Sequence, residues 1–558
     1  MLLKFFNILL YYFIIIFSVI GYGRFFSNYL FHSFKNLNIG YHGILGLVLL
    51  LVYSYISNIF YSHNFFHNTI LIILGLFLFF KTNNNFNYNF TFTVFSLLFI
   101  SLIIFKTHDD FPYYHFAYSY YLTQSDLIVG LGNLNHGFRT PSSIFYLNSL
   151  FYLPNIKYYF FHLPAVLVLG YSNLILLDII FESLNKKKIQ FKPNYIFYFS
   201  ILVILFINIF FYRISEHGTD RSAQILIFLF LIEFFVLIEF KEKYHIQISK
   251  IFVLLSLIIT LKAFYFLYLI FTFPILFFLF QNFKFKKVLN LIFKDRVFYL
   301  FLTSIFFLIL INFFNTGCFL YPVQITCFES VTWSIPKDEV LMMNNWYEQW
   351  SKAGAGPEFR VENPEIYIQK FNWIENWIEK YFFTKVSDFL FGIFILSTIL
   401  YFSFYSKKNI KLKINNYLYF IYFIIILLFL EWLYNHPSLR YGGYVLISTI
   451  IFLPLSVLLS KFSQNKINFK KKIFILLVLV SVIFFARNIN RIDDEVKKYS
   501  FKPFSNYEFR INENHFRIHL KITNLIHDYQ NCDNSKRTCA KQNELKIINK
   551  NGKYVILR

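Results

Sequence analysis

The sequence predicts an all-α polytopic membrane protein of about fourteen transmembrane helices, and three observations carry that expectation. Of the 558 residues, 57% are hydrophobic and 23% aromatic against only 15% charged, a balance too apolar for a string of soluble domains. Apolar runs long enough to cross a hydrocarbon core, which takes about 20 residues, recur from the N-terminus to residue 487. Those runs, such as 44–60, 161–181, 225–240 and 417–433, are unbroken blocks of Leu, Ile and Phe. A membrane β-barrel needs alternating polarity, so helices remain.

In chain order the expected spans centre near residues 12, 50, 73, 97, 170, 203, 231, 256, 272, 306, 395, 425, 450 and 479. The first stretch, Leu9 to Ile20, reads as a spanning helix, because Gly21-Tyr22-Gly23-Arg24 is a poor signal-peptide cleavage site. The pair near 256 and 272 is interrupted at Lys262 and reads either as a short span or as a re-entrant hairpin.

The net charge of +23 sits in the connectors: Lys186 to Lys188, Lys241 and Lys243, Lys284 to Lys287, Lys407 to Lys413, and Lys470 to Lys472. This is the distribution of cytoplasmic loops, so the charge reads as topology and no nucleic-acid partner is expected. With those connectors inside, both termini and the alternate loops lie outside. All four cysteines then fall on the outer face, where Cys318 with Cys327 and Cys532 with Cys539 invite two small disulfides; the alternative is four unpaired thiols. The expected organisation is a transmembrane domain 1–487 with outer loops 106–156, 213–221, 315–385 and 434–440, followed by an external C-terminal tail 488–558.

The candidate chemistry lies in the outer loops. Asp109 and Asp110 are adjacent carboxylates at a membrane surface, costly unless a cation, a proton or a sugar hydroxyl compensates them. Such a group can take a proton from an acceptor hydroxyl or hold a divalent metal, and one of the two can instead cap a helix. Farther along, Asn133, His136 and Arg139 stand in a glycine-rich turn that suits a polar ligand or, alternatively, a plain interfacial loop. Glu216, His217 and Asp220 crowd the next short loop and can supply the second half of an acid/base or metal site. Lys262 lies between apolar stretches, where an ammonium needs an anion, a wet cavity or a path to the interface. In the large loop Tyr321 precedes Trp333, aromatics that stack on sugar rings or anchor at the interface. Arg440 has the planar donor geometry for a phosphate; the other reading is interfacial snorkelling.

The run Asp109-Asp110 with Tyr114-His115, then Gly132-Asn133-Leu134 and Phe138-Arg139, resembles bacterial multi-pass proteins encoded among surface-polysaccharide genes. Gly317-Cys318, Tyr321-Pro322, Cys327-Phe328, Trp333 and Arg440-Tyr441 extend the likeness, which covers about residues 95 to 445. That family is itself similar to the GT-C superfamily of membrane glycosyltransferases. The resemblance implies a GT-C-like fold in a bacterial inner membrane and transfer of sugar from a polyprenyl-phosphate-linked donor to a glycan acceptor on the non-cytoplasmic face. Asp110 or Asp109 would then be the base or metal ligand, with His115, Glu216 and Asp220 as further catalytic candidates and Arg440 at the donor phosphate. Whether a divalent cation, Mg or Mn, takes part stays open. The alternatives are a polysaccharide polymerase or ligase, and a transporter or flippase. A transporter would place ionisable residues deep in spans, where Asp178 and Glu233 are the exceptions to note.

Overall fold

The computed structural model describes the chain except residues 1, 83–87, 186–192, 217, 241–243, 357–360, 408–414, 504–508, 536–544 and 558, and the side chains of 2–4, 185 and 532–535. Among the described residues, eleven helices are long and apolar enough to cross a membrane, and three shorter apolar helices, Phe65–Lys81, Asn89–Leu102 and Tyr195–Phe210, accompany them. All the expected centres fall inside one or another of these. The chain is a multi-pass membrane protein whose backbone polar groups are satisfied within helices.

The helix ends follow from local chemistry. Asparagine or aspartate caps recur at the N-termini: Asn38 accepts from Tyr41 N, Asn64 from His67 N, Asn194 from Phe197 N and Asp295 from Val297 N. At the other end of Arg296–Thr316, Gly317 stops the helix in the left-handed region, with φ of 75°. The break at Lys262 is a turn between two helical segments, since Tyr244–Leu261 and Ala263–Asn282 each have at least 18 residues and the backbone between them is extended.

The bundle has two chemically distinct ends. At one, Lys472 Nζ donates to Ser403 O at 2.6 Å and Asn415 Nδ2 to Ile238 O at 3.1 Å. At the other stand the loops carrying Asp110, Glu216, Lys262 and Arg440. Asp178 and Glu233 belong to the half of the bundle that carries Lys472 and Asn415, the first held by an amide and the second by a hydroxyl and a lysine. Asp178 accepts from Asn38 Nδ2 at 2.8 Å, whereas Glu233 bonds the Tyr41 hydroxyl and lies 3.2 Å from Lys250 Nζ.

The Cys318–Cys327 disulfide is formed, with the sulfurs 2.10 Å apart. The Cys532–Cys539 pairing falls outside the described side chains. The boundary expected at 487 lies inside one helix, Lys466–Tyr499, which runs through it without a break. The tail beyond includes helix Arg517–Ser535 and an antiparallel hairpin, Lys546–Lys550 with Lys553–Leu557, the one departure from all-α structure among the described residues. It packs back on the first outer loop. Val129 N donates to Tyr554 O at 2.9 Å, Ile556 N to Val129 O at 2.8 Å, and Phe509 meets the Phe111 ring edge-on.

Candidate functional site

Four charged side chains from four separate loops or helix ends meet at the outer-loop end of the bundle. Arg440 lies on a short turn, 439–441, between helices Asn416–Asn435 and Gly443–Ser460; Gly442, with φ of 105°, permits the reversal. Its Nε donates to Asp220 Oδ2 at 3.1 Å and its Nη2 to Asp110 Oδ2 at 3.2 Å. Lys262 Nζ donates to the other oxygen of Asp220 at 2.6 Å and lies 4.3 Å from the centre of the Tyr441 ring. Trp350, on helix Lys337–Lys352, lies 5.3 Å from the Arg440 guanidinium and roofs the cluster. Asp220 occupies the first turn of helix Gly218–Glu239, where the helix dipole favours a negative charge.

Two cations thus face two carboxylates. The side chains of Asp110 and Arg440 are 31% and 28% exposed, against 9% for Asp220, so the cluster opens to solvent at Asp110 and closes behind Asp220. Burial pushes the Asp110 carboxyl up, but the Arg440 guanidinium, helped by His115 and His108, outweighs it and holds the carboxyl below its ordinary value. Burial drives His115 down to about 3, and His108 is lowered by burial as well. A lowered carboxylate pKa means that the Asp110–Arg440 pair is fully formed above the ordinary value of 3.8 and is lost only as pH falls through the lower native one. His115 stays neutral through pH 6.5 for the same reason of sign: its folded value lies below its free one. A pH–activity profile is therefore expected to lack an ionisation near 6.5 from His115, and His115→Asn, which removes one of the groups holding Asp110 down, should move the acid limb slightly upward and change nothing near 6.5.

A family model matches residues 5–447. The chain belongs to that family, described as Domain of unknown function (DUF8201). No curated protein and no solved structure matches the chain. The DUF8201 span takes in Asp110, Asp220, Lys262 and Arg440, and ends before helix Lys466–Tyr499 and the tail.

The other sequence candidates of this DUF8201 chain are placed elsewhere. Asp109 points out to solvent, its side chain 87% exposed and 3.7 Å from Lys106. The two adjacent carboxylates therefore do not share a centre, and the residues present do not fit a metal held between them; among the described residues no group of three His, Cys, Asp or Glu side chains is arranged to hold one. Glu216 is buried against Arg213, with Arg491 Nη1 3.9 Å away. It faces the rear of His115 across a cavity of about 20 Å³ that Asn148 and His162 also line. His217 lies outside the described residues.

Arg139, Asn133 and Tyr321 are drawn into the scaffold. Arg139 is 1% exposed, and donates from Nε to Gly132 O at 3.0 Å, from Nη1 to the Tyr321 hydroxyl at 3.3 Å and from Nη2 to Glu339 Oε1 at 2.6 Å. Asn133 Nδ2 donates to Trp333 O at 3.1 Å. These bonds tie the segment after Cys327, and with it Trp350, to the first loop. His136 is exposed at the start of the short turn 136–138. Sequence reasoning did not single out Trp350 or Glu339, and named Tyr441 only as part of the Arg440-Tyr441 likeness. The pairing of Trp350 with Arg440 depends on how one loop folds over another, and no local pattern encodes it.

Proposed function

We propose that the protein transfers a glycosyl unit from a polyprenyl-phosphate-linked donor to a glycan or lipid-glycan acceptor, on the non-cytoplasmic face of a bacterial inner membrane. The observation that carries this reading is the meeting of Asp110, Asp220, Lys262 and Arg440 at one solvent-open mouth of a membrane-embedded helical bundle. Arg440 and Lys262 are donors that a carrier phosphate can use, and Asp110 is an ionised carboxylate at the open edge. In the reaction, an acceptor hydroxyl attacks the anomeric carbon and its proton passes to Asp110. The bond from that carbon to the phosphate oxygen breaks, and the departing phosphate is stabilised by Arg440 and Lys262.

In the resting site Arg440 restrains the basicity of Asp110. A phosphate engaging Arg440 would weaken that restraint, so donor binding and activation of the base are coupled electrostatically. Asp220, closed off behind the pair, holds the two cations in place. The likeness to GT-C enzymes supports the same assignment of roles, and the glycine-rich loop is read as support for the roof over the site.

The test is the lipid-linked glycan profile of cells carrying Asp110→Asn in place of the native residue. Asparagine keeps the shape and removes the charge, so glycan product is expected to fall by about 10²- to 10⁴-fold while the protein still accumulates in the membrane. Native product levels in that variant would end the proposal. Accumulation of single repeat units in a deletion strain would point instead to a polymerase.

A further inference from the structure

A second polar cavity opens on the same face, outside the Arg440 centre. It has a volume of about 310 Å³ and is lined by five cations, Lys106, Arg213, Arg487, Arg491 and Lys498, against two carboxylates, Asp494 and Glu495. Part of this charge is already spoken for. Arg213 bonds Glu216, and Glu495 accepts from Phe105 N at 2.9 Å and lies 3.4 Å from Arg491 Nη1. Arg487 and Lys498 have no carboxylate within ion-pair distance among the described residues. The Arg487 guanidinium is fixed 3.9 Å from the centre of the Tyr212 ring and by the bond from Nη1 to Ile209 O at 2.5 Å, which leaves Nε and Nη2 for a ligand. Arg491 is only 7% exposed, and its Nε has no hydrogen-bond partner among the described residues.

The position of the cavity along the helix Lys466–Tyr499 says what it meets. Phe474, Val478, Val482 and Ile483 give that helix an exposed apolar face, which thins after Ile483 to Ile489 and Val496. Arg487, Asn490 and the charged run beyond then line the cavity. A helix of 34 residues is about 51 Å long, well over a hydrocarbon core of about 30 Å, so its last turns stand among lipid headgroups. Tyr212 and Tyr499 on the cavity wall are the aromatic type that favours that layer.

We infer that this cavity binds the phosphate of an anionic bilayer lipid at headgroup level, beside the mouth that holds Arg440. Arg487 presents Nε and Nη2, the edge that Ile209 O leaves uncommitted, to two phosphate oxygens, Lys498 adds a point charge at the rim, and Arg491 supplies the buried positive floor. Ile489, half exposed beside the cavity, gives the acyl chains an apolar path that a soluble phosphate would not need. The inference does not require glycosyl transfer. Lys106, on the cavity wall, precedes Asp110 by four residues, so lipid occupancy also bears on the loop that carries the proposed base.

The experiment uses the purified full chain in a neutral detergent, titrated with phosphatidylglycerol or with phosphatidylcholine of the same acyl chains and read by native mass spectrometry. Phosphatidylglycerol is expected to bind at least about tenfold more tightly, as one or two added charge-assisted bonds would give. The Arg487→Gln/Lys498→Gln double variant should lose that preference, with Lys498→Gln alone intermediate. Lys498→Gln should unfold at the parent temperature, whereas Arg487→Gln gives up the Ile209 bond and the Tyr212 contact, so lipid preference is read per folded molecule. Equal binding of the two lipids, or an undiminished preference in the double variant, overturns the inference. Inorganic phosphate that competes as well as the lipid, concentration for concentration, overturns the assignment to a lipid.

Discussion

Arg440→Ala is expected to abolish product formation and to lower the amount of folded protein, the largest combined effect of any single substitution in the site. The guanidinium bonds both Asp110 and Asp220, and its removal leaves two carboxylates facing each other with Lys262 as the only cation of the cluster. Uncoupling a pair of this kind costs about 3 to 5 kcal/mol when it is buried, and the lower end applies here because Asp110 and Arg440 are each about one-third exposed. Asp110 would also protonate more readily once the charge that restrains it is gone. Arg440→Lys separates the two effects. A single ammonium keeps the charge but cannot bond both carboxylates from one fixed plane, so folding should be largely retained while the rate falls. Thermal unfolding in detergent and the lipid-linked glycan profile measure the two quantities. An alanine variant of native stability and native product would show that the charge cluster is dispensable.

Arg139→Met should destabilise by about 3 to 5 kcal/mol without carrying any step of the reaction. The side chain is buried and makes three hydrogen bonds to Gly132, Tyr321 and Glu339, so methionine breaks all three at once, an ion pair among them. The unfolding temperature should drop sharply. If product per folded molecule also fell, the fall would trace to Trp350, which the same segment holds over Arg440. Double replacement, Arg139→Met with Glu339→Leu, should cost less than the sum of the two single changes, because each single change breaks the same ion pair. A fully stable single variant with weakened donor binding would return Arg139 to the ligand-contact role that its loop composition suggests.

The contrast between Arg139 and Arg440 shows where reading the chain as a string stops. Both are arginines in polar loops that contain glycine and asparagine, and nothing local distinguishes them. One is enclosed by Glu339, some 200 positions away; the other meets Asp110 at a separation of 330. Asp109 and Asp110 pose the same problem at a distance of one residue, since Asp110 begins the helical turns that lead through Phe111–His115 while Asp109 is left outside with Lys106.

Composition and the spacing of apolar runs determined by themselves that this chain is built of many apolar helices and crosses a membrane more than once, and where along the chain those helices centre. Each of those properties follows from transfer of a contiguous segment between water and lipid, a sum over neighbours in sequence. Which charges confront one another was decided only by the tertiary structure. Ion pairing depends on distances of a few ångströms between segments hundreds of residues apart, and those distances are set by helix packing, by the Cys318–Cys327 loop and by a tail that folds back as a hairpin onto Val129.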